Sequence, residues 1–398
     1  MSDLNSTPKS NRLHIAFFGK RNSGKSSLIN AVTAQNTAIV SDTAGTTADP
    51  VYKPMEINPL GACVLIDTAG FDDVGELGAL RVEKTQDVLE RTDVAVMVLA
   101  DLDFTHEKEW LKKLRAKNIP VLAVINKSDI LENAEEIAQK AEKELSLAPI
   151  HVSAKTKDGT DKIKDALVRL VPEGFASETI ARHLAGKNDV VLLVMPQDIQ
   201  APKGRLILPQ VQTIRDLLDG KATVVSCTTD CMDSAISALK EPPKLIITDS
   251  QAFDIVYAKK PERSLLTSFS VLLARHKGDI GEFVRGAAAL DSLTENDRVL
   301  IAEACTHAPM SEDIGRVKLP RMLKKRVGEG LRVDVVSGTD FPDDLSVYSL
   351  IIHCGACMFN RRYVMSRIEK ARKAGVPITN YGVAIAKING ILDKIETY

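Results

Sequence analysis

The chain has 398 residues, of which 44% are hydrophobic and 26% charged, a composition that can bury several cores and argues against disorder. Its formal net charge of -1 gives no overall basic footprint, which speaks against nucleic acid or an anionic membrane as partner. No stretch approaches the ~20 apolar residues of a membrane span, and the polar start of the chain holds no apolar signal core, so a cytoplasmic protein is expected.

A length prior of roughly 100 to 200 residues per domain allows two to four domains. From Leu13 to Val171, apolar runs at 13–18, 63–66, 94–99, 121–125 and 149–152 alternate with amphipathic stretches such as 26–34 and 132–144. That alternation predicts a doubly wound parallel α/β sheet. Pro172-Glu173-Gly174 breaks the pattern, and polar residues up to Asn188 read as linker. Strand-like runs at 190–195, 223–225 and 245–248 form a second, smaller α/β unit with helices near 211–218 and 232–239. After Pro261 a helical run is expected from Ser264 to about Leu290. Strands follow at 299–302, 333–336, 349–352 and 376–379, with basic helices at 321–327 and 362–374, as a third α/β unit. Cys227 and Cys231 in the second unit have no third ligand nearby and read as structural.

Gly19-Lys20-Arg21-Asn22-Ser23-Gly24-Lys25-Ser26 fits G-x-x-x-x-G-K-[ST] between the first strand and first helix. Backbone N–H groups and the helix N-terminus there, Ser27 included, cradle phosphates, Lys25 reaches their oxygens and the Ser26 hydroxyl ligates magnesium. Asp67-Thr68-Ala69-Gly70 follows the next apolar run, so Asp67 can hold magnesium through water and Gly70 can meet the γ-phosphate. Asn126-Lys127-Ser128-Asp129 names the base: a carboxylate at Asp129 accepts from guanine N1–H and its exocyclic amine, a donor pair adenine lacks. Ser153-Ala154-Lys155 would close over the guanine. These motifs, in order, predict a GTPase.

Asn22, with Ser41-Asp42-Thr43-Ala44-Gly45-Thr46-Thr47, resembles the tRNA-modification GTPase, Era and Der families. The resemblance implies a potassium ion with Asn22 as ligand, and Thr47, or else Thr46, on magnesium in the GTP state. Lys25, Thr47 and Gly70 would carry catalysis. Phe71 stands where Ras-like enzymes place glutamine, so water activation needs another route, with Asp72, Asp73 and Glu76 as weak candidates. Unassisted turnover should be slow.

Cys305-Thr306-His307 and His353-Cys354-Gly355-Ala356-Cys357 lie just past strand-like runs. Loops at the carboxyl ends of strands converge on one crevice, so the distant segments can form one site. Six cysteines in so long a chain do not make a disulfide scaffold, which leaves thiols available as ligands. The residues alone allow a closed zinc site of three cysteines plus His307 or His353, or an iron–sulfur cluster with one open iron. Phe359, Arg361, Arg362, Asn380 and Tyr381 are candidates to line the crevice.

A GTPase, a middle α/β unit, and C-x-H with H-C-x-x-C near the C-terminus together resemble the FeFe-hydrogenase maturation GTPases, the HydF family. The resemblance implies a 4Fe-4S cluster on Cys305, Cys354 and Cys357, with His353 and His307 as candidate fourth ligands. It also implies a carrier that receives a diiron precursor from two radical-SAM maturases and hands it to apo FeFe-hydrogenase. The expected layout is a GTP-binding domain over 11–172, a linker over 173–187, a dimerisation domain over 188–260 that forms a homodimer, and a cluster-binding domain over 261–398. The alternative is an RNA-modification or ribosome-assembly GTPase with a structural zinc site. A GTP-gated redox or hydrolytic metalloenzyme is weaker, because no general base stands out.

Overall fold

A computed structural model describes residues 11–33, 50–72, 76–171, 179–196, 206–304 and 313–398, with backbone alone at 76–81. The chain divides into two compact units, Met1–Ser177 and Glu178–Tyr398.

The first unit is built on six strands: β1 (Leu13–Gly19), β2 (Val51–Ile57), β3 (Gly61–Asp67), β4 (Val94–Leu99), β5 (Val121–Ile125) and β6 (Ile150–His151). Their order is β2-β3-β1-β4-β5-β6, and every pairing is parallel except β2 with β3. β1 shows why both faces are covered. Leu13, Ile15 and Phe17 enter one core while Ala16 and Phe18 enter the other, as the period of a strand requires. Helices α1 (Lys25–Thr33) and α5 (Thr160–Leu170) pack on the first face. On the second lie α3 (Thr105–Ala116) and α4 (Ala134–Leu145), with the C-terminal part of α2 (Glu76–Arg91). β2 escaped the apolar pattern because it is a half-exposed edge strand carrying Pro54, which an edge tolerates.

The second unit holds two parallel four-stranded sheets. One consists of β7 (Val190–Val194), β8 (Thr223–Cys227), β9 (Leu245–Thr248) and β10 (Leu265–Ser268); the other of β11 (Arg298–Ala302), β12 (Arg332–Val336), β13 (Leu350–His353) and β14 (Ile378–Asn380). Their strand orders, β8-β7-β9-β10 and β12-β11-β13-β14, are the same topology. Between the strands run α6 (Leu208–Asp219), α7 (Met232–Ser237) and α8 (Phe253–Lys259), then α9 (Phe269–Lys277) and α10 (Ile280–Ala287), and finally α11 (Leu319–Val327) and α12 (Arg361–Lys373), with α13 (Tyr381–Ile388) after the last strand. The sheets share one core, to which Leu192, Ile246 and Leu266 contribute from the first and Leu300 and Ile352 from the second.

Two expectations need correction. The stretch 264–290 is not one helical run, because Leu265–Ser268 pairs in parallel with β9 and two helices follow it. Its β-region N-cap Ser268, whose hydroxyl accepts from Val271 N, starts α9 after the strand. Residues 180–187 are not a free linker either: Ile180, Ala181 and Ala185 are buried in a core with β7 and α6. No helix among the described residues is long and apolar enough to cross a membrane.

Candidate functional site

The phosphate-loop residues lie between β1 and α1, and two glycines there are required by packing. Gly24 sits at φ +89, and a Cβ on it would meet Asn126 Nδ2 at 2.3 Å. A Cβ on Gly70 would meet Arg21 N at 2.7 Å, so the segment after β3 approaches the loop backbone closely. Asn126 ties three segments together. Its Nδ2 donates to Ser23 O (3.4 Å) and Gly24 O (3.3 Å), and its Oδ1 accepts from Lys127 N (2.8 Å) and Ala154 N (3.0 Å). Lys127 Nζ donates to Asn22 O at 2.8 Å, and both residues adopt positive φ, 64° and 58°. Ser153 Oγ donates to Asp129 Oδ1 at 2.7 Å, which orients the exposed carboxylate predicted to read guanine. Lys155 is exposed at the same loop.

Lys25 Nζ donates to Gly19 O (2.9 Å) and Lys20 O (2.8 Å). Ser26 Oγ donates to Asp67 Oδ2 at 2.5 Å, while Asp67 Oδ1 is buried with no hydrogen-bond partner among the described residues. Burial raises the Asp67 carboxyl above its ordinary value, opposed by the Ser26 hydrogen bond and the charges of Lys25 and Lys53. A buried carboxylate oxygen left unmatched beside a serine hydroxyl fits a hydrated magnesium ion. Ser27 follows, half-buried, in α1. Thr46, Thr47, Asp73 and the Glu76 side chain lie outside the described residues.

Phe71 turns into the core. It is 5% exposed and stacks on Trp110 with centroids 5.7 Å apart, so it presents no polar group to an attacking water. Asp72 Oδ1 instead accepts from Arg21 N at 2.6 Å.

In the second unit the strand order reverses between β11 and β13, the switch point at which open α/β sheets bind ligands. The residues after both strands converge there: Cys354 Sγ accepts from Ala304 N at 3.0 Å and from Ala356 N at 3.4 Å. Cys357 lies on the same turn, and Ala356 between the cysteines adopts φ +53. Burial and the neighbouring Cys357 push the Cys354 thiol up to about 11, so a metal must displace its proton on binding. Cys305 and His307 lie outside the described residues. Among the described residues no three His, Cys, Asp or Glu side chains are grouped to hold a metal ion.

His353 is placed beside the turn but is engaged elsewhere. Its Nε2 lies 3.1 Å from Arg367 Nη1 and its Nδ1 lies 2.8 Å from Cys354 O. A guanidinium only donates, so Nε2 accepts and Nδ1–H donates to the carbonyl. The lone pair a metal would use is taken. Burial, reinforced by Arg367, lowers the imidazole to about 3 and keeps it neutral. In this arrangement both ring nitrogens of His353 are engaged within the protein. Arg367 is itself buried against the rings of Phe341, Phe359 and Tyr363 at 4.7, 4.7 and 5.1 Å, and its Nη2 donates to Gly338 O.

Sequence reasoning missed Arg367 and Lys277, two buried cations on the turn. A basic residue in a basic helix or at a helix end reads as solvated, so no local signal marks either one. Of the expected lining residues, Phe359 packs on Arg367, and Asn380 Nδ2 donates to Cys354 O at 3.2 Å.

Residues 14–127 match the family described as 50S ribosome-binding GTPase. The chain is 32% identical over 225 residues to GTPase Der of a Nitratiruptor species, covering 50% of this chain and 48% of that protein. It is also 32% identical over 178 residues to tRNA modification GTPase MnmE of Chromobacterium violaceum, covering 43% and 38%. The chain thus spans about half the length, or less, of these curated relatives. Solved structures similar to it include Era in complex with MgGDPNP and ribosomal RNA, with TM-score 0.37 and 20% identity over 56% of this chain and 93% of that one. Another is the G domain of T. maritima FeoB, with TM-score 0.32 and 20% identity over 40% and 99%. Residues 180–278 match the Hydrogen maturase F dimerization domain and residues 281–396 the Hydrogen maturase F tetramerization domain. With a GTPase domain in front of both matches, the chain belongs to the Hydrogen maturase F family.

Proposed function

We propose that this chain is a cytoplasmic GTPase scaffold of FeFe-hydrogenase maturation. It holds a 4Fe-4S cluster on Cys305, Cys354 and Cys357, takes up a diiron precursor from two radical-SAM maturases and delivers it to the apo-hydrogenase. The observation that carries the cluster reading is the 3.0 Å bond from Ala304 N to Cys354 Sγ. It brings Ala304, the residue that precedes Cys305 in the chain, to the turn bearing Cys354 and Cys357. The donor chemistry fits: two backbone N–H groups meet the Cys354 sulfur, the kind of hydrogen bond that tunes a cluster thiolate. Such a cluster, when bound, offers an iron position at which a precursor can be held. The engagement of both His353 nitrogens supports His307, another side chain or water for the fourth position.

In the first unit, Asp129 reads guanine, the loop from Gly19 to Ser27 holds phosphates, and Ser26 with Asp67 holds magnesium. Gly70 and Thr47 sense the γ-phosphate, and potassium binds at Asn22. GTP hydrolysis times partner exchange and does not power cluster chemistry. The segment matched to the dimerization domain forms a homodimer. The test is activation of apo-hydrogenase by precursor-loaded protein. Cys354→Ser is expected to abolish it, and Lys25→Ala to slow both partner release and activation. Wild-type release and activation by Lys25→Ala would end the timing role.

A further inference from the structure

Lys277, the last residue of α9, is 2% exposed, yet its ammonium is not idle. Nζ donates to Ala356 O (3.1 Å), Cys357 O (3.4 Å) and Phe359 O (2.8 Å). An ammonium has three N–H donors, and three carbonyls of the C-x-x-C turn receive them. The grip is reciprocal. Arg361, just past the turn, returns Nη1 to His276 O (3.2 Å) and Gly278 O (2.8 Å) on either side of Lys277. Cys354 O is held by Asn380 and His353, so the carbonyls of Cys354, Ala356, Cys357 and Phe359 are all fixed by side chains. Ala356 holds a left-handed conformation that L-residues seldom adopt, and its carbonyl is one of those Lys277 grips.

We infer that Lys277 is the positioning residue of the C-x-x-C turn, fixing the Ala356, Cys357 and Phe359 carbonyls and placing a positive charge against the backbone that carries the thiolates. The inference rests on the reading of those cysteines as cluster ligands. A thiolate-bound cluster is anionic, and its potential responds to net charge and to burial. A buried cation on the turn that carries its ligands favours both thiolate ligation and the reduced level. α9 sends Phe269 and Leu272 into one core and Val271 and Ala274 into the other. Lys277 falls within the dimerization-domain match at 180–278, while the turn falls within the tetramerization-domain match at 281–396. One side chain therefore ties the two family segments together at the metal site.

The test uses the full chain, reconstituted anaerobically, with Lys277→Met, Lys277→Gln and a control. Lys260 is the control, because its Nζ also grips three carbonyls, those of Pro261, Glu262 and Ser264, away from the turn. Folding is checked by circular dichroism and GTP hydrolysis, which all variants should retain. Lys277→Met is expected to release iron to a chelator about 10- to 100-fold faster, as loss of a group supporting a ligand does. Its reduction potential, read by electron paramagnetic resonance, should move negative. Lys277→Gln keeps donors without charge, so its iron release should be slower than that of Lys277→Met while its potential falls equally. Lys260→Met should match wild type in both. Wild-type release and potential in both Lys277 variants would overturn the inference. Should Lys277→Met fail to fold, the potential of Lys277→Gln decides alone. A wild-type chain that takes up no iron overturns the cluster reading itself.

Discussion

Asp129 and Glu107 show how single side chains in the first unit are set by their surroundings. Asp129 is exposed and oriented by Ser153, ready to accept from a base that offers two donors. Asp129→Asn replaces one acceptor lobe with a donor and should weaken GTP binding by ~10² or more. Xanthosine triphosphate, whose base carries a carbonyl where guanine has an amine, should bind better than GTP; titration calorimetry with both nucleotides reads the exchange. Glu107 is the opposite case. It is 1% exposed, its Oε2 has no hydrogen-bond partner among the described residues, and burial raises its carboxyl from 4.5 to about 7. Lys20 opposes that shift, and Asp101 and Asp103 add to it. The folded chain therefore holds a proton there that the unfolded chain has lost, so stability falls as pH rises from about 4.5 to about 7. Glu107→Gln should lose that slope, with a urea midpoint that gains on wild type across this window. Parallel midpoints at all pH values would contradict the assignment.

Elements whose two faces are both buried were legible in the sequence. β1, β4, β5, β7, β9 and β13 are near-continuous apolar runs, and each lies where its run predicts. β2 was hidden by Pro54 and its polar alternation, and β10 by an apolar stretch that passes directly into α9. The phosphate-loop, Asp67 and Asn126 motifs were legible because each needs a fixed spacing after a strand. Lys277 was not, because its role depends on a turn 79 residues further on, which no local pattern encodes. The same blindness hid Asp216 of α6, whose Oδ2 accepts from Ile180 N (3.0 Å), Ala181 N (2.7 Å) and Arg182 N (3.1 Å). Its Oδ1 accepts from Arg182 Nε at 2.9 Å. These bonds convert the polar stretch after the first unit into packed structure. Asp216→Ala leaves the buried Ile180 and Ala181 amides without their acceptor and should cost about 1–3 kcal/mol. Limited proteolysis should then cut near residues 179–187, where the wild type resists.

Across the molecule, a GTPase domain is followed by two sheets of one topology, and the second sheet carries a turn bearing two cysteines at its switch point. That turn is held by buried cations and by neutral His353, with backbone N–H groups on the Cys354 sulfur. The proposed scaffold role depends on what those thiols bind. The direct measurement is iron, sulfide and zinc content after anaerobic reconstitution, with electron paramagnetic resonance after reduction, in wild type and Cys354→Ser. A 4Fe-4S carrier should hold about four iron and four sulfide per chain, with a reduced-cluster signal that Cys354→Ser loses. Zinc in stoichiometric amount, with neither iron nor signal, would contradict the account.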